Sequence, residues 1–170
     1  LFQRVSKKVV GIEPSPIPYS FAIKKNPNIY NKLFDMQSAH EIVGDHGKFD
    51  VIVANNVIAH VPAIQDFFGA LKICLNSGGR VICDFSHLGD VLEKNLFDTV
   101  YIEHVFYWGL PALTLLANRV GFQIVAYKAI DLHGGSMRVQ IQHIGDEVIT
   151  DGTFKSRSEP AGDQKTATLD

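Results

Sequence analysis

Lys48-Phe49-Asp50-Val51-Ile52-Val53-Ala54-Asn55-Asn56-Val57-Ile58-Ala59-His60-Val61 decides the fold class. Val51 to Ala54 is continuously apolar, the pattern of a strand buried on both faces of a parallel sheet. The run breaks at the polar pair Asn55-Asn56, which would stand at the sheet's carboxyl end, where open α/β sheets bind ligands. Downstream, Ile64, Phe67, Phe68, Leu71 and Leu75 recur at three- and four-residue spacing, predicting an amphipathic helix over Ala63 to Leu75. Asn76-Ser77-Gly78-Gly79 would end it with a left-handed glycine. Arg80 to Phe85 then reads as a second buried strand. Strand, helix, Gly-Gly turn and strand in this order make a βαβ crossover.

Upstream, Lys8 to Ile12 is a short strand closed by Glu13 and Pro14, since proline cannot extend a ladder. An acid at the tip of an early strand is where nucleotide-binding α/β folds hold a ribose, its two oxygens accepting from the two hydroxyls. Tyr19 to Lys25 is read as a short helix, Ile29 to Phe34 as a strand, and Ala39 to Val43 as a helical turn closed near Gly44 or Gly47. Downstream, Leu88 to Lys94 and Pro111 to Val120 are predicted helices, the second with proline in its first turn and Gly121 past its end. Phe122 to Tyr127 is a strand, His133-Gly134-Gly135-Ser136 a tight turn, and Met137 to His143 an alternating, half-buried strand, antiparallel or at an edge. The stretch 146–170 is polar and reads as a linker or the cut start of a further domain. The architecture is three-layer α/β, mostly parallel, with an antiparallel C-terminal strand pair.

The bulk numbers narrow the function. The 170 residues carry a formal charge of −2 and are 46% apolar, an ordinary globular composition for one domain. The near-neutral balance gives no footprint for nucleic acid, and no apolar run reaches the length of a membrane helix. Cys74 and Cys83 lie in apolar surroundings and form no CxxC pair, so they read as buried free thiols rather than metal ligands, with a cytoplasmic home. One stretch gathers titratable groups. Tyr101, Glu103 and His104 sit inside Phe97-Asp98-Thr99-Val100-Tyr101-Ile102-Glu103-His104-Val105-Phe106-Tyr107-Trp108. Burial among those apolar neighbours would shift their pKa values. Such runs are also common in half-buried structural loops. His60 taken alone reads as a hydrogen-bonded structural histidine.

Three segments, Asn55-Asn56-Val57-Ile58-Ala59-His60-Val61, Phe97 to His104 and His133-Gly134-Gly135-Ser136-Met137-Arg138-Val139, occur in an order and spacing that resemble the S-adenosylmethionine-dependent sugar C-methyltransferases, which methylate nucleotide-linked keto-deoxysugars. The resemblance covers about Val9 to His143. It implies a Rossmann-like class I methyltransferase core with S-adenosyl-L-methionine as cofactor. The acceptor would be a nucleotide-linked sugar. His104 would be the base that removes a proton beside the sugar ketone, with Tyr101, Glu103 and His60 in the same active site. Glu13, Asn55 and Asn56 would face the cofactor, and Ser136 and Arg138 the substrate. Glu103 could orient the His104 ring, and the aromatic surroundings would exclude water. The resemblance also implies that residues 1–145 are a partial core, without the first strand and its glycine-rich turn, and that the family's zinc cysteines and C-terminal domain lie outside this chain. Ile102 stands where the family usually has a histidine. Two alternatives stay open: a non-catalytic α/β remnant or nucleotide-sugar binding module, and a nicotinamide enzyme, which the lack of a GxGxxG fingerprint disfavours. Oligomeric state is not legible.

Overall fold

The decisive run forms strand β3, Phe49–Asn55. In the computed structural model, which describes residues 8–148 and 155–156, it leads into helix α3 (Ile64–Cys74) and strand β4 (Leu75–Ser86). The strands are parallel, with Asn55 opposite Asp84, so the βαβ reading holds. Helix α3 buries Ile64, Phe67, Phe68, Leu71 and Cys74, the face set by its spacing. It ends sooner than predicted, for Leu75 is already extended at φ −85° and ψ 133°. Asn76 to Gly79 is therefore not a helix cap. It is a bulge inside β4, where the pairing jumps from Phe49–Leu75 to Val51–Arg80. Gly78 takes φ +73° there, and the Asp146 carboxylate accepts from Ser77 Oγ at 3.1 Å and Gly78 N at 2.8 Å.

Upstream lie β1 (Gly11–Ile12), α1 (Pro16–Ala22), β2 (Ile29–Tyr30) and α2 (Met36–His46). Helix α1 starts three residues before the predicted Tyr19, because Pro16 suits a first helical turn. Strand β2 is two residues long rather than six. Where a single turn was expected, α2 runs for 11 residues. A capping box starts it: Asp35 Oδ1 accepts from Ser38 N at 2.7 Å while Ser38 Oγ accepts from Asp35 N at 3.0 Å. Serine in place of the usual Glu or Gln at that position hid the signal. Gly47, at φ +71°, closes the helix.

The remaining elements are α4 (Leu88–Glu93), a 3-10 turn at Phe97–Thr99, α5 (Leu110–Arg119), β5 (Phe122–Ile130), β6 (Ser136–His143) and β7 (Lys155–Ser156). Strands β1 and β2 make a separate parallel pair, and the other five form a sheet in the order β3-β4-β6-β5-β7. The pairings β4–β6, β6–β5 and β5–β7 are antiparallel. That sheet is thus mixed, its parallel part confined to the β3–β4 pairing. The predicted C-terminal antiparallel pair is β5–β6. Strand β7 falls in the stretch read as a linker, most of which lies outside the described residues.

Two burial expectations are corrected. Strand β3 is not buried on both faces: Val51 and Val53, two residues apart and so on one face, are 56% and 38% exposed, and among the described residues β3 is also the edge of its sheet. Strand β6, read as half-buried, is instead central, with Gln140 and Gln142 at 3% and 0% exposure. Alternation records two chemically different faces, and here both are covered. The main core joins Phe68, Leu71, Val81, Phe85, Leu113, Phe122 and Ile141 between the sheet and α3 and α5.

The turn into β6 has no room for side chains at its glycines. Gly135 holds φ +147°, and a Cβ there would lie 2.6 Å from Asp90 Cβ and Cγ. Gly135→Ala is expected to cost about 2–3 kcal/mol through combined strain and overpacking, read from the urea midpoint.

Candidate active site

The segment 97–108 is short and irregular, so it is held by what it touches. Val105 N and Phe106 N both donate to Ala59 O, at 2.9 and 3.2 Å. Trp108 Nε1 donates to Ile58 O at 3.0 Å, and Leu88 N to Trp108 O at 3.0 Å. The first three bonds fasten the segment to the loop that leaves the carboxyl end of β3, where His60 lies, and the fourth ties it to the start of α4. Its Nδ1 donates to Glu103 O at 2.9 Å. The His60 and His104 ring centroids are 4.7 Å apart.

His104 has both ring nitrogens assigned by their partners. A carbonyl only accepts, so Nδ1, 3.0 Å from Thr99 O, carries the hydrogen. Nε2 then presents its lone pair, and Tyr101 OH donates to it at 2.7 Å. Tyr107 meets the ring edge-on at 5.6 Å and donates its hydroxyl to the same Thr99 carbonyl at 3.3 Å. The imidazole is buried, 8% exposed. Its pKa is lowered, first by burial; the Thr99 carbonyl opposes this, and His60 adds to it. A neutral imidazole whose one lone pair is held only by an exchangeable hydroxyl is a ready proton acceptor. Because the folded pKa lies below the unfolded value of 6.5, the unfolded chain binds more protons between the two values. Stability from this group is therefore full above 6.5 and falls as pH drops through that window. In an NMR titration the His104 ring is expected to titrate below 6.5.

The structure brings Tyr101, His104 and His60 together. Glu103 joins only through its backbone; its carboxylate is exposed and makes no hydrogen bond to either imidazole among the described residues. The orienting group is the Thr99 carbonyl, which no sequence signal could single out because every residue has one. Asn55 is exposed at the end of β3, and Asn56 turns the chain there at φ +51°, its N donating to Asp84 O at 2.8 Å. Ser136 Oγ donates to Leu132 O at 3.0 Å. Arg138 grips Asp84 with two hydrogen bonds, at 2.6 and 2.7 Å. Glu13 stands at the tip of β1, its Oε1 accepting from Ser15 N at 2.9 Å. Asn31 Nδ2 holds the turn behind it, donating to Glu13 O at 2.7 Å and Pro14 O at 3.0 Å.

The expected water-excluding wall is corrected. Phe97, Val100, Ile102 and Val105 are 83%, 61%, 93% and 48% exposed. A segment this short turns only one side inward, and that side carries His104, Phe106 and Trp108. Cys74 and Cys83 are buried free thiols, pushed up by burial to about 11 and about 12. Among the described residues no group of three His, Cys, Asp or Glu side chains could hold a metal ion. None of their helices is long and apolar enough to cross a membrane.

The methyltransferase domain family matches residues 1–127, and the chain belongs to it. It is 27% identical over 139 residues to the C-methyltransferase NovU of Streptomyces niveus, covering 82% of this chain and 33% of NovU. The chain thus spans about a third of that relative's length. Among solved structures it resembles a SAM-dependent methyltransferase from Anabaena variabilis: TM-score 0.61, 16% identity, covering 84% of this chain and 70% of that one. An O-methyltransferase family protein from Burkholderia thailandensis gives a TM-score of 0.53 at 13% identity, over 80% of this chain and 43% of that one. These two likenesses show the fold, a Rossmann-like class I methyltransferase.

The cofactor of this family is S-adenosyl-L-methionine. The residues present fit its ribose end. One Glu13 oxygen is used by Ser15 N, and a carboxylate has about four acceptor sites, so acceptors remain for hydroxyls.

Proposed function

We propose that the protein is a C-methyltransferase that moves a methyl group from S-adenosyl-L-methionine to the carbon beside the ketone of a nucleotide-linked keto-deoxysugar, in the cytoplasm. The observation that carries this reading is the buried His104, with its Nδ1 fixed on Thr99 O and its Nε2 lone pair accepting from Tyr101 OH. The likeness to a C-methyltransferase supports the carbon acceptor.

Methylation at carbon needs a carbanion, so the chain must first remove a proton. His104 Nε2 takes it, and the C–H electron pair moves into an enolate whose charge rests on the former ketone oxygen. Tyr101 releases the lone pair as substrate enters and turns its O–H to that oxygen. His60, with Nδ1 held by Glu103 O and its ring 4.7 Å from that of His104, lines the same region. When bound, the cofactor supplies an electrophilic methyl group. Glu13 would hold it by the ribose, with Asn55 and Asn56 at the end of β3.

The same reading takes residues 1–145 as a partial core from which a first strand and its glycine-rich turn are missing. The separation of β1–β2 from the five-stranded sheet supports it. The longest natural chain carrying these residues is expected to release heat on titration with S-adenosyl-L-methionine, and Glu13→Ala to weaken binding about tenfold. No heat from a folded sample would sink the methyltransferase reading. Binding of nucleotide sugar without turnover would favour the alternative, a binding module on the same scaffold.

A further inference from the structure

His104 owes its proton-accepting form to one carbonyl, Thr99 O, and that carbonyl stands on an exposed turn. Thr99 closes the 3-10 turn, where Phe97 and Val100 face solvent. Thr99 N and Thr99 Oγ1 both donate to Leu96 O, at 3.1 and 2.7 Å. Leu96 N donates in turn to Val91 O at 2.9 Å, which ties the start of the turn to α4. These bonds hold residue 99 by its nitrogen and its side chain. None of them reaches its oxygen.

A backbone oxygen has two acceptor sites. His104 Nδ1 uses one at 3.0 Å and Tyr107 OH the other at 3.3 Å. Tyr107 comes from the firm part of the segment. Phe106 N, on one side of it, donates to Ala59 O at 3.2 Å, and Trp108 Nε1, on the other, to Ile58 O at 3.0 Å. The Tyr107 ring also closes one side of the imidazole, edge-on at 82° with centroids 5.6 Å apart. Tyr101 lies against another side at 4.0 Å. In the mechanism above Tyr101 gives up Nε2 as substrate enters. The ring is then left with Thr99 O, the edge of Tyr107 and the ring of His60. Which nitrogen of a neutral imidazole carries the hydrogen is set by such partners. While Thr99 O faces Nδ1, the Nε2–H form would set a lone pair against a carbonyl oxygen. Once the carbonyl turns away that repulsion ends, and a form that cannot accept a proton at Nε2 becomes populated.

We propose that Tyr107 is a positioning residue, whose hydroxyl holds the Thr99 carbonyl against Nδ1 and so keeps His104 in the tautomer that accepts a proton at Nε2. Use of that lone pair as a base rests on the methyltransferase reading above, whereas the tautomer is read without cofactor or substrate. The test is nitrogen-correlated NMR of the histidine rings in isotope-labelled protein, at a pH above 6.5, where His104 is neutral, with His104→Gln assigning the signal. The wild type is expected in the Nδ1–H form. Tyr107→Phe keeps the ring and removes only the O–H. It is expected to shift the tautomer ratio about fivefold toward Nε2–H, the worth of one neutral hydrogen bond. Tyr107→Met, which also lacks the hydroxyl and fills irregular gaps, is the second variant and is expected to shift it the same way. An unchanged ratio in either folded variant overturns the proposal and leaves Tyr107 as packing alone. A wild type already in the Nε2–H form overturns it whether or not the variants fold. A tautomer shift in a protein that takes up no S-adenosyl-L-methionine supports the positioning and counts against the methyltransferase reading, so the two failures are told apart.

Discussion

His104→Ala lowers kcat by about three orders of magnitude while S-adenosyl-L-methionine binds as before: this is the largest effect expected on activity. A positioned base contributes about 10²–10⁴ in rate, and here one nitrogen carries that role. Nδ1 is fixed on Thr99 O, leaving Nε2 as the acceptor. The removed ring lies in the short segment pinned to the loop after β3, whereas Glu13 lies on the separate β1–β2 pair, so cofactor affinity should not follow. Proton abstraction can also be read without methyl transfer. In deuterated water the wild type is expected to exchange the hydrogen beside the sugar ketone, and His104→Ala is not. A variant that keeps full rate and full exchange would remove His104 as the base.

A loss of stability as large as that of Gly135→Ala is expected from Arg138→Ala. The Asp84 side chain is only 7% exposed, and both its oxygens are held by the guanidinium. Truncating the arginine leaves a nearly buried carboxylate without its partner, at a cost of about 2–3 kcal/mol given that Arg138 itself is partly exposed. For a chain of this size that is a melting shift of roughly 5–10 °C. The double variant Asp84→Leu with Arg138→Leu should recover most of it, since no charge is then left buried. If Arg138 instead served the substrate, the single variant would raise KM and leave the melting curve in place.

The sequence carried the fold best where the chain is periodic. Ile64 to Leu75 could only be an amphipathic helix, and the apolar run before it only a strand, so the β3-α3-β4 unit was legible. What an apolar run does not encode is its neighbours. Val51 and Val53 look like interior residues and stand at an edge, while Gln140 and Gln142 look like surface residues and are buried. The candidate site was legible as residue types, a phenol and two imidazoles. Its geometry was not, because the groups that aim those rings are the carbonyls of Thr99 and Glu103. The roles of Ser136 and Arg138 turned on partners 4 and 54 positions away, which spacing alone cannot foretell.

Among the described residues one edge of β3 is unpaired, which has a consequence for handling the protein. Along Phe49–Asn55 the sole charge is Asp50, and there is no proline or lysine to blunt the edge. Natural sheets normally guard such a row of free amides and carbonyls, because it invites another chain to add on. Concentration should therefore govern the solution behaviour of this chain more than temperature does. Loss of material on standing would begin as edge-to-edge pairing of intact molecules, with the core still folded, and a single lysine at Val51 or Val53 would be the economical remedy.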